Sequence, residues 1–342
     1  MRANAKAEVP MWQRAAVASW IGVIAVAHPT GLSAGDDRAA GQAGATSTRL
    51  ITLGTAGGPL PRKDRTQSSS LLAVQGALYL IDAGDGVTRR IVEAERDFRK
   101  VGKIFITHGH GDHTMGLASL LGSAWEFQRR DPIDVYGPPG TQAIVTGAMQ
   151  DLRVNAEIRG EEGKKTPMVE VFRAHEAGTG LVYQDAHVKV TAVENAHFHF
   201  ASGSLPDRKY KSYAYRFETS DRVVVFTGDT GPSAAVTGLA HNADLLVSEI
   251  IAVDDVIQLF ARNGVWQAKT PAERQSLLRH LEREHLLPGD VGRMAAKAGV
   301  KTVVLTHLPP TSNPNDDYQR YVEEVKRYFS GSVLVARDLM EF

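Results

Sequence analysis

Three histidines and one aspartate lie within six consecutive residues, at His108, His110, Asp112 and His113. An apolar run over 103–107 directly precedes them and predicts a buried strand. The two glycines between them allow the backbone to turn sharply, so that the four side chains can face one point. Because the chain contains no cysteine, a metal ion here would be held by imidazole and carboxylate groups, which suit Zn²⁺ and also Mn²⁺ or Fe²⁺. The cluster therefore predicts a metal centre rather than a solvated polar loop.

Other candidate ligands follow apolar runs elsewhere in the chain. One run leads directly to Asp229, a second leads to His307, and a third leads to His197 and His199. Each has a simpler interpretation when taken alone, as a helix cap, a hydrogen-bonded histidine or an exposed loop residue. Together with the six-residue cluster, these strand ends predict a centre for two metal ions, in which His197 and His199 are alternatives.

These candidate ligands need a scaffold that brings distant strand ends together. From residue 50 onward, short β-branched or apolar runs alternate with amphipathic stretches in both halves of the chain. The stretch 87–99 predicts a helix, and a capping box that begins at Thr270 marks the start of another. The segment 159–165 mixes charges of both signs and predicts a solvated hairpin tip. The pattern as a whole predicts an α/β fold, a four-layer αββα sandwich with two sheets between outer helices.

The start of the chain has the composition of a secretory leader. Basic residues precede an apolar run over 15–27, and small residues suited to cleavage follow it. The run is short for a permanent membrane-spanning helix, and a buried first helix is the alternative. We therefore predict a signal peptide over 1–34, a flexible lead-in over 35–48 and one folded domain over 49–342. The protein is then expected to be exported to the periplasm or beyond, without stable membrane insertion after cleavage.

The spacing of the six-residue cluster matches the H-x-H-x-D-H signature of the metallo-β-lactamase superfamily. The order of the other motifs resembles the ribonuclease Z and arylsulfatase-like branch of that superfamily. The motifs that carry this resemblance are LGTAGGP at 53–59, YLIDAGDG at 79–86, SYAYRF at 212–217, GDT at 228–230 and AGVKTVVLTH at 298–307. The resemblance extends over about residues 50–342 and implies the metallo-β-lactamase fold.

The resemblance also implies a role for each candidate residue. It assigns seven ligands to two Zn²⁺ ions, with Mn²⁺ or Fe²⁺ as alternatives: His108, His110 and His197 for the first ion, Asp112, His113 and His307 for the second, and Asp229 as a bridge. Asp82 would accept a hydrogen bond from one imidazole and orient it. Asp112 would take the proton of the attacking water, and His285 would protonate the leaving oxygen or stabilise an oxyanion. A surface histidine at a helix end is the other interpretation of His285.

The glycine-rich segment 54–59 calls for a separate interpretation. No Gly-Lys-Ser/Thr follows it, which excludes a nucleotide-binding P-loop. We expect a turn beside the metal ions. It either offers backbone N–H groups to an anionic substrate or is a plain turn.

Charge and composition bear on the substrate. The chain has 39 basic and 39 acidic residues, and aromatic residues make up 7%, so neither a general positive field nor a stacking platform favours nucleic acid. No counterpart of the extended arm with which ribonuclease Z grips transfer RNA is found over 151–187. We therefore predict a dinuclear zinc hydrolase in which a metal-bridging hydroxide cleaves a small phosphodiester or sulfate ester, with nucleic acid disfavoured as a partner. A homodimer, common in this branch, is one option for its assembly.

Other functions stay open at this stage. A lactonase or β-lactamase would use a similar metal centre, although the lack of cysteine excludes ligand sets with a zinc-bound thiolate. A ribonuclease Z-like endonuclease that processes the 3′ end of transfer RNA is a further alternative. An inactive metal-binding module is the least consistent with a complete set of ligands. A flavodiiron-type oxidoreductase is excluded because position 110 is histidine rather than glutamate and no flavodoxin domain is present.

Overall fold

The computed structural model describes residues 47–127, 129, 131–164, 166–311 and 317–342. The predicted signal peptide and nearly all of the predicted lead-in lie outside these residues. The strands are, in chain order, β1 (Arg49–Gly54), β2 (Ser69–Val74), β3 (Ala77–Ile81), β4 (Val101–Phe105), β5 (Ile133–Gly137), β6 (Phe172–Glu176), β7 (Gly180–Gln184), β8 (Lys189–Glu194), β9 (Tyr213–Glu218), β10 (Val223–Phe226), β11 (Leu245–Glu249), β12 (Thr302–Thr306), β13 (Ser332–Val335) and β14 (Met340–Glu341).

Helices connect most of the parallel strands and cover the sheets. They are, in chain order, α1 (Val87–Glu93), α2 (Gly111–Thr114), α3 (Leu117–Glu126), α4 (Thr141–Asp151), α5 (Arg153–Glu161), α6 (Met168–Val171), α7 (Leu205–Lys209), α8 (Ala234–Leu239), α9 (Val253–Arg262), α10 (Val265–Ala268), α11 (Pro271–Glu284), α12 (Pro288–Ala298) and α13 (Gln319–Lys326). Among the residues that the structure describes, none of the helices combines the length and the apolar character needed to span a bilayer.

The strands form two seven-stranded sheets, and each sheet combines antiparallel and parallel pairs. The strand order is β14-β1-β2-β3-β4-β5-β6 in the first sheet and β13-β12-β11-β10-β9-β8-β7 in the second. Strands β3 to β6 run parallel in the first sheet, and β10 to β13 run parallel in the second. Because parallel strands end at the same edge of a sheet, the segments after β3 and β4, and those after β10 to β12, start from a common edge.

Apolar side chains fill one layer between the sheets and one layer outside each sheet. Along β3, Tyr79 and Ile81 point between the sheets, whereas Leu78 and Leu80 pack beneath the outer helices. This alternation follows from the two-residue period of a strand, and burial on both faces explains why the strand is apolar throughout. A separate apolar layer lies between the second sheet and helices α8, α12 and α13. The predicted four-layer αββα sandwich is confirmed.

Two local predictions are wrong. The segment expected to be a hairpin tip at 159–165 is, in its described part, the end of helix α5 and the turn after it, where Arg159 pairs with Glu162 at i,i+3 and with Glu126. Such pairs stabilise a helical turn. The helix predicted over 87–99 ends at Glu93. Asp97 then caps a separate 3₁₀ turn by accepting a hydrogen bond from the backbone N–H of Arg99.

Helices α9 and α11 pack together beside the second sheet through a small apolar cluster that contains Ile251, Val256 and Leu281. The predicted capping box at the start of α11 is present: the side chains of Thr270 and Glu273 each accept a hydrogen bond from the other residue's backbone N–H. Helix α11 therefore starts at a residue fixed by its capping box, and apolar contacts with α9 hold it in place. Its other end lies beside the candidate ligands.

Candidate metal centre

The candidate ligands lie just beyond the carboxyl ends of strands from both sheets. The six-residue cluster follows β4 in the first sheet. In the second sheet, His197 follows β8, Asp229 follows β10 and His307 follows β12. All of these side chains except that of His110 are buried. The fold thus brings together residues that are distant in the sequence.

The six-residue cluster folds as an extended segment that turns into the one-turn helix α2. His108 is fully buried, and its Nε2 lies 3.0 Å from Nδ1 of His110. His110 precedes the helix in an extended conformation, and Asp112 and His113 lie within the single turn that follows. This change from extended to helical backbone brings all four side chains to the same side, as the spacing of the glycines predicts.

The first group of candidate ligand atoms belongs to His108, His110 and His197, and these atoms lie within 4.8 Å of one another. Nε2 of His197 lies 3.2 Å from Nδ1 of His110, and its Nδ1 faces the backbone carbonyl of Glu284 at 3.0 Å. His199 is exposed, and its Nε2 faces another carbonyl in the last turn of α11. The structure therefore places His197 in the cluster and His199 outside it.

The second group belongs to Asp112, His113 and His307, again with all candidate ligand atoms within 4.8 Å. Asp229 lies between the two groups, because its carboxylate is within 4.8 Å of the ligand atoms of both His108 and His113. Nε2 of His307 lies 3.3 Å from a carboxylate oxygen of Asp112 and 3.3 Å from one of Asp229. This arrangement can hold two cations around one shared carboxylate.

The two groups differ in electrostatics. In the second group, burial opposes protonation of His307, but the nearby carboxylates of Asp229 and Asp112 raise its pKa to about 9. Burial also opposes ionisation of Asp112, yet its hydrogen bond with His307 and the charge of His113 lower its pKa to about 2. In the first group, burial lowers the pKa of His197 to about 3. That imidazole is therefore neutral at pH 7, which is the form that binds a metal ion.

Two buried atoms of the candidate ligands provide a test of whether a metal ion fits between them. Nε2 of His113 and Oδ1 of Asp229 have no hydrogen-bond partner among the described residues, although they lie 3.4 Å apart. A buried polar atom without a partner costs about 1–3 kcal/mol, and a cation coordinated by both atoms would remove that cost. The donor set of imidazole nitrogens and carboxylate oxygens also suits Zn²⁺. The residues present therefore fit divalent metal ions.

Asp82 holds one of the clustered imidazoles in place. It follows β3, and its carboxylate accepts a hydrogen bond from Nδ1 of His113 at 2.8 Å. The other carboxylate oxygen accepts from the backbone N–H of Thr107 at 2.8 Å. Because Nδ1 is engaged in this way, Nε2 of His113 is the atom left to face Asp229. Asp82 thus has the contact that the resemblance to the superfamily implied for it.

Glu249 is a buried acidic residue of this centre that the sequence analysis missed. It ends β11, is 2% exposed, and its carboxylate lies 2.7 Å from Nδ1 of His285. It also accepts a hydrogen bond from the backbone N–H of Thr230, next to Asp229. Burial and the charge of Asp229 raise its pKa well above the usual range. An acid at the end of an apolar strand, here between β10 and β12, is the signal that could have identified it.

His285 belongs to the centre rather than to the surface. Its side chain is buried at the end of α11, and burial lowers its pKa to about 4. Its ring lies 5.2 Å from the ring of His197 and stacks 6.3 Å from that of His307. One of its nitrogens is within 4.8 Å of the ligand atoms of His197 and Asp229. These contacts exclude the interpretation of His285 as a surface histidine.

The glycine-rich segment 54–59 passes directly against the centre, as expected. A Cβ atom on Gly57 would lie 2.3 Å from the backbone oxygen of His307, so no larger residue fits there without a shift. The backbone nitrogen of Gly58 lies 3.3 Å from Nε2 of His307. The segment therefore forms one wall beside His307.

The chain is similar over most of its length to proteins of one superfamily. Residues 78–308 match the family model described as beta-lactamase superfamily domain. Ribonuclease Z of Methanosarcina acetivorans is 28% identical over 319 residues, which cover 86% of this chain and 97% of the relative. Ribonuclease Z of Bacillus velezensis is 28% identical over 334 residues, with 85% and 97% covered.

Solved structures share the fold. The metallo-beta-lactamase fold protein YhfI from Bacillus subtilis has a TM-score of 0.61 at 19% identity, and the match covers 86% of this chain and 98% of that one. The short form of human tRNase Z has a TM-score of 0.58 at 22% identity, with 86% and 98% covered.

These relatives contradict the prediction about the substrate. Charge and composition favour a small-molecule ester over nucleic acid, whereas relatives matched over nearly their whole length are named ribonuclease Z. The physical reason for the error is that net charge averages over the whole surface. A balanced total does not exclude a local positive groove beside the site.

Proposed function

Because the chain belongs to the beta-lactamase superfamily and is a metal-dependent hydrolase of ester bonds, we propose that it is ribonuclease Z-like and hydrolyses phosphodiester bonds in RNA. The observation that carries the proposal is the convergence of five imidazoles and two carboxylates on one point. The similarity to ribonuclease Z over almost the full length of those relatives supports the choice of RNA.

The proposed centre holds two Zn²⁺ ions. The residues that would bind them are His108, His110 and His197 for the first, Asp112, His113 and His307 for the second, and Asp229 for both. Bound there, the ions would lower the pKa of water to near neutrality and polarise a phosphoryl oxygen.

The side chains around the centre would supply the positioning and the proton transfers. Asp112, whose low pKa keeps it ionised, would accept the proton of the attacking water. Nδ1 of His285 is engaged by Glu249, which leaves Nε2 for the substrate. We propose that this atom hydrogen-bonds the leaving oxygen and stabilises the negative charge that develops on it.

The test is cleavage of a precursor transfer RNA that carries a 3′ extension, by the purified full chain loaded with Zn²⁺. We expect a shortened RNA on a denaturing gel, loss of cleavage in excess chelator and recovery when Zn²⁺ is restored. Asp254→Asn is a matched control for Asp229→Asn, because Asp254 is an exposed acid on α9. Asp254→Asn should cleave normally and Asp229→Asn should not.

Assays with substrates other than RNA include the outcome that would overturn the proposal. If the metal-loaded protein leaves RNA intact but opens a lactone ring or hydrolyses nitrocefin, the enzyme is an acyl hydrolase and the proposal is wrong. Metal analysis of the same sample gives the identity and the number of the ions. A count other than two, or a metal other than zinc, would correct the proposed centre without changing the reaction.

We also propose that residues 1–34 direct export. This proposal rests on the composition of the leader alone and is independent of the chemistry of the site. Fractionation of cells that express the full chain, beside a chain without residues 2–34, tests it. Export predicts a processed protein outside the cytoplasm only when the leader is present.

A further inference from the structure

Helix α11 forms part of the wall of the candidate metal centre. The backbone carbonyls of its last turn have no partner within the helix, as in any α-helix. Two of them, those of Arg283 and Glu284, face His199 and His197. The side chains that project from this helix are therefore close to the reacting groups, and the two sides of the helix differ in character.

One side of α11 faces an open groove with a volume of about 580 Å³. Lys269, Arg279 and Arg283 line this groove, and the two arginines are exposed. Within the described part of the chain, none of these three side chains forms a hydrogen bond or an ion pair. Arg279 and Arg283 are one helical turn apart, a spacing of about 6 Å at which like charges weaken a helix. Arg279 and Arg283 thus form an exposed positive surface on this side of the helix.

The acidic residues of the same groove are engaged by protein groups. Glu273 accepts hydrogen bonds from the backbone N–H and the hydroxyl of Thr270 in the capping box. Glu284 pairs with Nδ1 of His280 at 2.8 Å. Neither carboxylate forms an ion pair with the three cations, although the hydrogen bonds from Thr270 and the charge of Lys269 lower the pKa of Glu273. With three cations against two carboxylates, the groove carries a net positive charge, whereas the net charge of the whole chain is zero.

An adjacent side of α11 faces a pocket of about 360 Å³ with mainly apolar walls, which include Leu60, Val256 and Phe260. Leu277 and His280 line both the groove and this pocket. His285 and His307 also line this pocket, so it adjoins the same centre. No lysine or arginine lines it, so a stretch of RNA backbone that entered it would lose hydration without gaining side-chain cations, which is costly. Of this groove and this pocket, the groove is the one that suits a polyanion.

We propose that the groove of Lys269, Arg279 and Arg283 binds the backbone phosphates of the RNA strand whose scissile bond occupies the metal centre. This inference rests on the proposed function. The strand passes along α11, and its phosphates replace the counterions that these three side chains hold in its absence. Binding here is independent of base sequence, because it is directed to phosphates rather than to base edges.

The salt dependence of RNA binding tests the inference. The probe is a labelled single-stranded RNA of about 12 nucleotides, mixed with the Zn²⁺-loaded full chain and resolved on a native gel in the cold, with only uncut strand counted. The test variant is Lys269→Ala/Arg279→Ala/Arg283→Ala. The control variant, Arg89→Ala/Arg153→Ala/Arg327→Ala, removes the same charge from exposed positions that do not line the groove.

We expect the groove variant to bind RNA about 10- to 100-fold more weakly between about 50 and 200 mM salt. The slope of log affinity against log salt should fall by about 2, because each phosphate contact to a single strand contributes about 0.7. The control variant should keep the affinity and slope of the unmodified protein. Thermal melting of both variants shows whether they are folded, and Arg279→Ala/Arg283→Ala provides a milder variant if the triple one is not.

The outcomes separate this inference from the proposed function. If RNA is cleaved but the groove and control variants have equal slopes, the groove is not the binding surface and the proposed function stands. If the unmodified protein cleaves no RNA but binds it with a slope that only the groove variant reduces, the groove inference stands and the proposed function fails.

Discussion

Each sheet contributes one buried carboxylate that holds one imidazole at the candidate metal centre. In the first sheet, Asp82 engages Nδ1 of His113 at 2.8 Å; in the second, Glu249 engages Nδ1 of His285 at 2.7 Å. The two hydrogen bonds have nearly the same length, but the imidazoles have different surroundings. Both lie beside other imidazoles, but His113 faces the carboxylates of Asp112 and Asp229 at 3.7 and 3.4 Å, whereas His285 borders the apolar pocket.

The carboxylates also differ in their other contacts. Asp82 accepts hydrogen bonds from both the backbone N–H and the hydroxyl of Thr107, and its own backbone has a left-handed conformation with φ of 59°, which is uncommon for a residue other than glycine. Glu249 instead accepts from the backbone of Thr230, next to Asp229. The comparison teaches that similar pairs can serve different steps. Asp82 should affect how tightly metal ions bind, and Glu249 should affect how fast the reaction proceeds.

The largest effect is expected from Asp229→Asn, because Asp229 lies between the two groups of ligands and next to the contact of Glu249. Its loss should remove metal ions and activity together, by more than the 10- to 100-fold typical of residues that only support ligands. Metal content by mass spectrometry and cleavage of RNA or bis-p-nitrophenyl phosphate measure this. Full metal occupancy in the variant would show that Asp229 is not shared between two ions.

His285→Ala should lower kcat by about 100-fold or more, the loss typical of removing a hydrogen-bond donor to a developing oxyanion. It should leave metal content unchanged, because His285 is not among the proposed ligands. His241→Ala is the control, since His241 is exposed and belongs neither to the cluster nor to the groove. If the His285→Ala variant loses metal together with its activity, His285 is one of the ligands. The Glu249–His285 pair would then serve metal binding, as the Asp82–His113 pair does.

The same comparison explains which parts of the site could be predicted from the sequence. His113 belongs to a contiguous cluster after one apolar strand, so residue types and spacing alone indicate a metal centre there. Asp229 and His307 each follow a recognisable buried strand, and parallel strands end at a common edge. Glu249 ends β11 between β10 and β12, so the same rule of parallel strand ends applies to it. The position of His285 depends on how α9 to α11 pack beside the second sheet, which no local pattern encodes.

The fold shows a similar division. Apolar strands such as β3 and β12 are evident from the sequence, because they are buried on both faces. Strands β6 and β7 are not evident from the sequence, since most of their positions are exposed or half-buried and neither forms a continuous run of buried apolar residues. The substrate was predicted wrongly because net charge does not report where the charges lie. Only the three-dimensional structure shows that Arg279 and Arg283 share a groove with Lys269.

Asp82→Asn should weaken metal binding by about 10- to 100-fold, because asparagine holds Nδ1 of His113 less strongly than a carboxylate does. At saturating Zn²⁺, kcat should return to near its original value. Competition with a chelator measures the affinity. Asp134→Asn is a matched control, since Asp134 also engages a histidine in the first sheet, at 2.7 Å from Nε2 of His175. A loss of kcat that excess Zn²⁺ does not restore would contradict the role in metal affinity.

The smallest effect is expected from Glu249→Gln, which retains the size of the side chain and the contact to the backbone of Thr230. We expect kcat to fall by about 10-fold with no change in the affinity for Zn²⁺, in contrast to Asp82→Asn. If Glu249 acts only by positioning His285, then Glu249→Gln should have no further effect in a protein that already carries His285→Ala, since residues that act as a unit are not additive. A double variant slower than His285→Ala alone would mean that Glu249 also acts through its contact with Thr230, beside Asp229, and the two carboxylates would then share a role at the metal ions.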